Sequence, residues 1–111
     1  MDQEHARTLL DEERSRVKRL LKETEQDAEQ DREQANEPGD LTDPAERLTA
    51  EETDDALAGG LRDRLAALDR AERRLEDGTF GYSIRSGLPI PDARLEADPA
   101  AELTVEEEQQ S

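Results

Sequence analysis

The sequence contains no cysteine and no tryptophan, and it has one phenylalanine and one tyrosine. Without cysteine the chain cannot form a disulfide, use a cysteine nucleophile or offer a thiolate to a metal. Aromatic side chains usually bury the most area per residue, so their scarcity argues against a wide and deep core. Of the 111 residues, 32% are hydrophobic and 41% are charged. We therefore expect either a thin helical structure with a narrow apolar seam or extensive disorder.

Long apolar runs and a surplus of basic residues are also missing. No stretch approaches the roughly 20 apolar residues of a membrane span, and the charged start of the chain lacks the apolar core of a signal peptide. These features predict a cytoplasmic protein. The net charge of −16 argues against direct DNA binding, because phosphate contacts need clustered lysine and arginine.

The acidic charge is concentrated in the middle of the chain. Residues 26–57 carry twelve acids and two arginines, a net charge of −10, whereas residues 1–25 carry −1 and residues 58–111 carry −5. Such a run is most often a solvated or disordered surface. The alternative is a surface that binds a basic partner.

The first 37 residues contain no proline or glycine and are rich in helix-forming residues. The turn sequence NEPGD at 36–40 predicts the end of this helix. An apolar stripe runs along its first half and consists of Ala6, Leu9, Leu10, Val17, Leu20 and Leu21.

Two start signals precede a second predicted helix. Asp43 before Pro44 is a cap followed by proline at the first helical position, and Thr49 with Glu52 forms a capping box. We expect this helix to begin at about residue 45 or 50 and to end at residue 77, because a glycine follows. Its leucines are spaced by three, four or seven residues, which is typical of a coiled-coil seam. They are Leu57, Leu61, Leu65, Leu68 and Leu75.

The pair Gly59-Gly60 lies inside this second helix. It is either tolerated in a long helix or forms a hinge. Because each seam is too narrow to be stable alone, the two helices are expected to pair as an antiparallel hairpin. The predicted fold is mainly α: a long antiparallel coiled-coil hairpin over 1–77 with its acidic tip at about 36–48. Residues 78–111 would form a small finger-like module at its base and an acidic C-terminal tail.

Two pairs of polar residues have the spacing of a zinc site. Ser83 and Ser86 are separated by two residues, as are Thr104 and Glu107. With cysteine at all four positions the stretch would read C-x2-C-G…C-x2-C, a zinc-ribbon spacing.

The sequence from 75 to 103, LEDGTFGYSIRSGLPIPDARLEADPAAEL, resembles the DksA/TraR family of RNA polymerase secondary-channel regulators. The matching pieces are Gly78-Thr79-Phe80-Gly81, Gly87, Pro89-Ile90-Pro91, Arg94-Leu95-Glu96-Ala97, Pro99 and Ala101. The resemblance implies that Ser83, Ser86, Thr104 and Glu107 stand at the family's zinc-ligand positions. Hydroxyls are poor zinc ligands and one carboxylate does not make a site, so we expect no zinc and no other cofactor, leaving a degenerate, zinc-free module. His5, the only histidine, is expected to face solvent.

Apolar packing is the predicted replacement for the metal. The residues expected to pack on Leu75 and on Leu9 or Leu10 are Phe80, Tyr82, Ile84, Leu88, Ile90, Leu95, Leu103 and Val105. Partial disorder of residues 82–111 is the alternative.

For function, the resemblance implies a transcription regulator whose acidic tip enters the secondary channel of RNA polymerase. The family motif Asp-x-x-Asp-x-Ala falls on 43–48, where Asp43 matches, Glu46 replaces the second aspartate and Leu48 replaces the alanine. Arg47 lies in the same tip. The resemblance further suggests a monomer and a nucleotide alarmone as a candidate ligand. A two-helix rod offers no catalytic pocket, so we expect no enzyme activity. The alternative function is an acidic helical hairpin that serves as a scaffold for another basic partner.

Overall fold

The computed structural model describes residues 1–35 and 44–110, and it describes side chains outside residues 28–54. In this part of the chain four helices form: α1 (Gln3–Ala35), α2 (Pro44–Asp77), α3 (Asp92–Ala97) and α4 (Val105–Gln109). A single antiparallel β-bridge pairs Tyr82 with Pro89. The mainly helical fold is thereby confirmed for the described residues.

The chain divides into two compact units. The first contains Met1–Ser15 together with Leu65–Ser111, and the second is Arg16–Arg64. Each unit takes a part of α1 and a part of α2. The predicted domain boundary between residues 77 and 78 is not tested by this division, because the two units are separated within α1 and α2 and not at the end of α2.

In the first unit, the beginning of α1 pairs with the end of α2. Arg14 of α1 donates to Asp69 at 2.6 Å and lies 2.9 Å from Glu72, both on α2. The two helices also contribute the buried apolar residues of this pair. They are Ala6 and Leu10 of α1 and Leu68, Ala71 and Leu75 of α2.

In the second unit, Val17 and Ala58 are the buried apolar residues among the described side chains, and Arg62 donates to Glu25 at 2.8 Å. The prediction of Leu57 as a seam residue is wrong, since this side chain is 53% exposed. A coiled-coil seam alternates steps of three and four. A step of three back from Leu61 leads to Ala58, so Ala58 occupies the seam position. Leu57 then lies next to the seam and not in it. Leu20 is likewise exposed.

Helix α2 ends at the residue that the sequence predicted, and glycine provides the reason. Gly78 has φ of +80°, a conformation that side chains with Cβ rarely adopt. The N–H of Gly78 donates to the carbonyl of Leu75 at 3.3 Å, and the N–H of Thr79 donates to that of Arg74 at 2.8 Å. These two hydrogen bonds form a Schellman motif, which directs the chain away from the helix.

The pair Gly59-Gly60 lies within the continuous helix α2, and a Cβ added at either position would meet no atom within 4 Å. Replacing both by alanine is therefore expected to raise the free energy of unfolding by about 1 kcal/mol per residue, because alanine loses less entropy in a helix. Urea denaturation measures this change. Ala66→Gly, at an exposed position of the same helix, is the matched control and should lower stability by a similar amount. A destabilised alanine variant would contradict simple tolerance and indicate a hinge.

Candidate functional site

The chain after α2 forms a short loop whose two arms are joined by backbone hydrogen bonds. The N–H of Ser83 donates to the carbonyl of Leu88 at 2.8 Å, and the N–H of Ile90 donates to that of Gly81 at 2.7 Å. At the turn, Gly87 has φ of +76° and donates its N–H to the carbonyl of Ser83 at 3.0 Å. This loop places residues 83 and 86 close together at its end.

A small apolar cluster lies beside this loop. It consists of Ile90, Leu95 and Ala101, with Phe80 packed against it, and Leu95 is only 2% exposed. A Cβ added to Gly81 would lie 3.7 Å from the Leu95 Cδ1 atom, so the loop approaches α3 closely. The structure thus buries two of the predicted packing residues and half-buries Phe80.

Four other residues predicted to pack in the base module are exposed, and these predictions are wrong. They are Tyr82, Ile84, Leu88 and Val105, with exposed fractions between 45% and 60%. The neighbours of Tyr82 account for its exposure. Gly81 faces Leu95 and Ser83 is buried, so the side chain of Tyr82 between them faces solvent.

The four residues with zinc-ligand spacing meet around one carboxylate. The Glu107 carboxylate accepts hydrogen bonds from the Ser83 hydroxyl at 2.9 Å, the Thr104 hydroxyl at 2.9 Å and the Ser86 hydroxyl at 3.3 Å. The backbone N–H of Thr104 adds a fourth at 3.2 Å. Ser83, Thr104 and Glu107 are buried. We call Ser83, Ser86, Thr104 and Glu107 the carboxylate centre.

The two serines of the carboxylate centre are held by the loop itself. The Ser83 hydroxyl oxygen accepts the backbone N–H groups of Arg85 at 3.1 Å and Ser86 at 3.2 Å. The Ser86 hydroxyl oxygen accepts the N–H of Leu88 at 3.2 Å. Each serine therefore accepts from the backbone and donates to Glu107, which fixes the direction of both hydroxyl protons.

On the other side of the centre, Thr104 and Glu107 begin helix α4 as a capping box. The Thr104 hydroxyl accepts the N–H of Glu107, and the Glu107 side chain accepts the N–H of Thr104. The same T-x-x-E signature that predicts a helix start at Thr49 is present at Thr104. The signature was therefore the available signal for the burial of Glu107.

The pKa of Glu107 is lowered from its ordinary value. Burial of the carboxylate is the largest single effect, and it raises the pKa. The hydrogen bonds from the Ser83 hydroxyl, from the hydroxyl and N–H of Thr104 and from the Ser86 hydroxyl together outweigh it, because they stabilise the ionised form. The centre therefore holds an ionised carboxylate at neutral pH.

A lowered pKa in the folded state predicts a loss of stability in acid. The contribution of the ionised Glu107 carboxylate to the free energy of unfolding is fully present above the ordinary glutamate pKa of about 4.3. It is lost as the pH falls through the lower pKa that Glu107 has in the folded state. We expect the difference in unfolding free energy between wild type and Glu107→Gln to be constant from pH 7 to about pH 5 and to shrink below it. Urea denaturation at several pH values measures this difference. A difference independent of pH down to about pH 3 would contradict the prediction.

Further polar contacts connect this module to the helix pair within the first unit. Arg70 of α2 donates to Glu102 through two nitrogens at 2.8 and 3.0 Å. His5 of α1 is exposed, as predicted, and its ring forms a hydrogen bond with the Glu96 carboxylate of α3. The N–H of Ile84 donates to the carbonyl of Glu102 at 2.9 Å. The sequence analysis assigned no partner to Arg70 or His5.

The predicted tip residues fall at the margin of the described chain. Asp43 lies outside the described residues, and Glu46 and Arg47 lie in the first turns of α2, where side chains are not described. Their assignment to the tip remains a prediction.

Comparison with known proteins finds relatives that match most of this chain. The chain is 42% identical over 102 residues, 88% of its length, to the RNA polymerase-binding transcription factor DksA of two strains of Caulobacter vibrioides, NA1000 and CB 15. It is 36% identical over 66 residues to general stress protein 16O of Bacillus subtilis. The chain is therefore similar to DksA proteins over most of its own length. It spans about three fifths of the length of the Caulobacter DksA proteins.

A solved structure agrees with this similarity. The transcription factor DksA2 from Pseudomonas aeruginosa superposes with a TM-score of 0.80 at 26% identity, over 97% of this chain and 81% of that chain. This match confirms the predicted helical-hairpin fold class. No family model matches the sequence.

Among the described residues, none of the helices has an apolar stretch of the length needed to cross a membrane.

Proposed function

We propose that this DksA-like chain binds RNA polymerase and regulates transcription by inserting its acidic hairpin tip into the secondary channel. The observation that carries the proposal is the 42% identity over 88% of the chain to a protein named as an RNA polymerase-binding transcription factor. The relative is named as a transcription factor and not as an enzyme, which supports a regulator without catalytic activity of its own.

The charge distribution supports the same proposal on physical grounds. A channel that admits nucleoside triphosphates and leads to bound Mg²⁺ presents a positive potential. A thin acidic segment is steered toward such a channel. The net charge of −10 over residues 26–57 surrounds the predicted tip, so the field of the chain is strongest where insertion would begin.

Within the tip, Asp43 and Glu46 are the proposed acting residues, with Arg47 beside them. Both acids would pair with basic groups of the polymerase channel, or would act on the Mg²⁺ bound by the polymerase and on the mobile polymerase segments near it. The longer side chain at 46 and Leu48 in place of alanine alter the size of the tip but keep acid at both charged positions. We further propose that the chain acts as a monomer in the cytoplasm and does not bind DNA directly. A nucleotide alarmone remains a candidate ligand.

A binding experiment tests this function. The labelled chain is titrated with core RNA polymerase of Caulobacter vibrioides at about 0.15 M salt, and unlabelled Caulobacter DksA is then added as competitor. Saturable binding that the competitor displaces is the expected result, since both proteins would occupy one channel. Absence of binding, or binding that DksA does not displace, would contradict the proposal and favour an acidic scaffold for another basic partner.

A further inference from the structure

The positions that the family resemblance assigns to zinc ligands do not fit zinc in this chain. Three of the four positions carry neutral hydroxyls, and only Glu107 carries an anionic donor. A structural zinc site needs four thiolate, imidazole or carboxylate ligands. His5, the only imidazole of the chain, pairs with Glu96 on α3. Among the described side chains, no group of three histidine, aspartate or glutamate residues could hold a metal ion.

The direction of the hydrogen bonds makes the misfit sharper. Around a cation, each ligand must present a lone pair to the centre. In the carboxylate centre the hydroxyls of Ser83, Ser86 and Thr104 instead donate their protons to Glu107. The lone pairs of the two serine oxygens are engaged by backbone N–H groups. The carboxylate centre is thus the reverse of a cation site, because an anion lies in the middle and hydrogen-bond donors surround it.

We infer that the Glu107 carboxylate replaces the metal as the structural cross-link of the base module. It joins the loop at residues 83–86 to the start of α4 across sequence separations of 24 and 21 residues, the two segments that a zinc ion would join. A module of this size rarely stays folded on a small apolar cluster alone. The lowered pKa of Glu107 agrees with this role, since it keeps the carboxylate ionised. This inference does not depend on polymerase binding.

Two glutamates of α4 allow a matched test. Glu107 is buried in the centre, whereas Glu106 is exposed on the same first turn. Glu107→Gln removes the charge on which the charge-assisted hydrogen bonds depend, so it should lower the melting temperature by roughly 5–15 °C. Glu106→Gln should change it by less than about 2 °C. Equal melting temperatures for the two variants would overturn the inference.

A double-mutant cycle keeps the test decisive if single variants are strongly destabilised. Ser83→Ala removes the hydrogen bond to Glu107 and Glu107→Gln removes the charge that strengthens it, so their combined loss in melting temperature should be smaller than the sum of the single losses. Additive losses would show that Ser83 and Glu107 do not act together and would contradict the inference.

Measurements of zinc content provide a third test of the inference. Wild-type protein purified from zinc-supplemented culture should hold well under one zinc per chain by elemental analysis, and a chelator should leave its melting curve unchanged. A variant with cysteine at all four positions should bind one zinc per chain and become sensitive to the chelator, because the backbone frame persists. One chelator-sensitive zinc per wild-type chain would overturn the inference. Failure of the cysteine variant to bind zinc would contradict a shared frame.

Discussion

Replacing Asp43 with asparagine and Glu46 with glutamine should abolish the effect of the chain on transcription and leave its affinity for RNA polymerase within about fivefold of wild type. The affinity changes little because an exposed ion pair contributes only about 0.2–1 kcal/mol, and the rest of the hairpin and its base would still bind. The transcriptional effect is lost because these two acids are the groups proposed to act near the catalytic centre. The fold should remain, apart from a loss of about 1 kcal/mol if Asp43 caps α2.

A control variant distinguishes the effect of the tip position from the effect of losing two negative charges. Glu23→Gln with Asp63→Asn removes the same charge from two exposed positions outside the tip. Titrations with core RNA polymerase and transcription assays on the same preparations compare both variants with wild type. A scaffold that acts through charge alone predicts a small, proportional loss in both. Full transcriptional activity in the tip variant at unchanged affinity would refute the tip assignment.

Leu95→Ala should destabilise the chain by about 2–5 kcal/mol. Leu95 is 2% exposed and lies in the cluster with Ile90 and Ala101. Truncation removes apolar contacts and leaves a cavity next to a loop that cannot collapse freely, because the carboxylate centre also holds this loop. Since the free energy of unfolding of a whole domain is about 5–15 kcal/mol, this single change should visibly lower the urea midpoint.

Leu88→Ala is the matched control for this prediction. The same side chain is shortened in the same module, but Leu88 is 56% exposed. Its effect should stay within about 0.5 kcal/mol. Equal losses for the two variants would show that the cluster around Leu95 does not stabilise the module.

The features that the sequence predicted well are those determined by local chemistry. The end of α2 follows from Gly78, because glycine is the residue that readily adopts the positive φ of the Schellman motif. Helix α2 begins at Pro44, next to the earlier of the two predicted starts, and proline is favoured at the first helical position. Both depend on a few adjacent residues, and no distant contact needs to be known.

The wrong predictions concern side chains whose burial depends on a neighbouring segment. Leu57 is more hydrophobic than its neighbour Ala58, yet the helix pair buries Ala58. The reason is that Ala58 continues the alternating steps of three and four residues along the seam. Tyr82 is exposed because the inward side of its segment is taken by its neighbours. Hydrophobicity alone could not decide either case.

Glu107 shows a different limit of the sequence pattern. It lies in a run of three glutamates, Glu106–Glu108, that is typical of a solvated acidic tail. Only the register relative to Thr104 distinguishes the middle one, since it stands three residues after the cap. Apolar packing was the predicted replacement for the metal, whereas a polar centre around the buried Glu107 carboxylate holds these positions together.

Site-directed photo-crosslinking tests the proposed polymerase mechanism most directly. A photoreactive amino acid is placed at position 46 in one variant and at the exposed position 106 in another, and each is irradiated with core RNA polymerase. The mechanism predicts that the probe at 46 labels polymerase segments lining the secondary channel, whereas the probe at 106 labels segments outside it. Labelling of the channel from position 106 but not from position 46, or binding without any label inside the channel, would contradict insertion of the acidic tip.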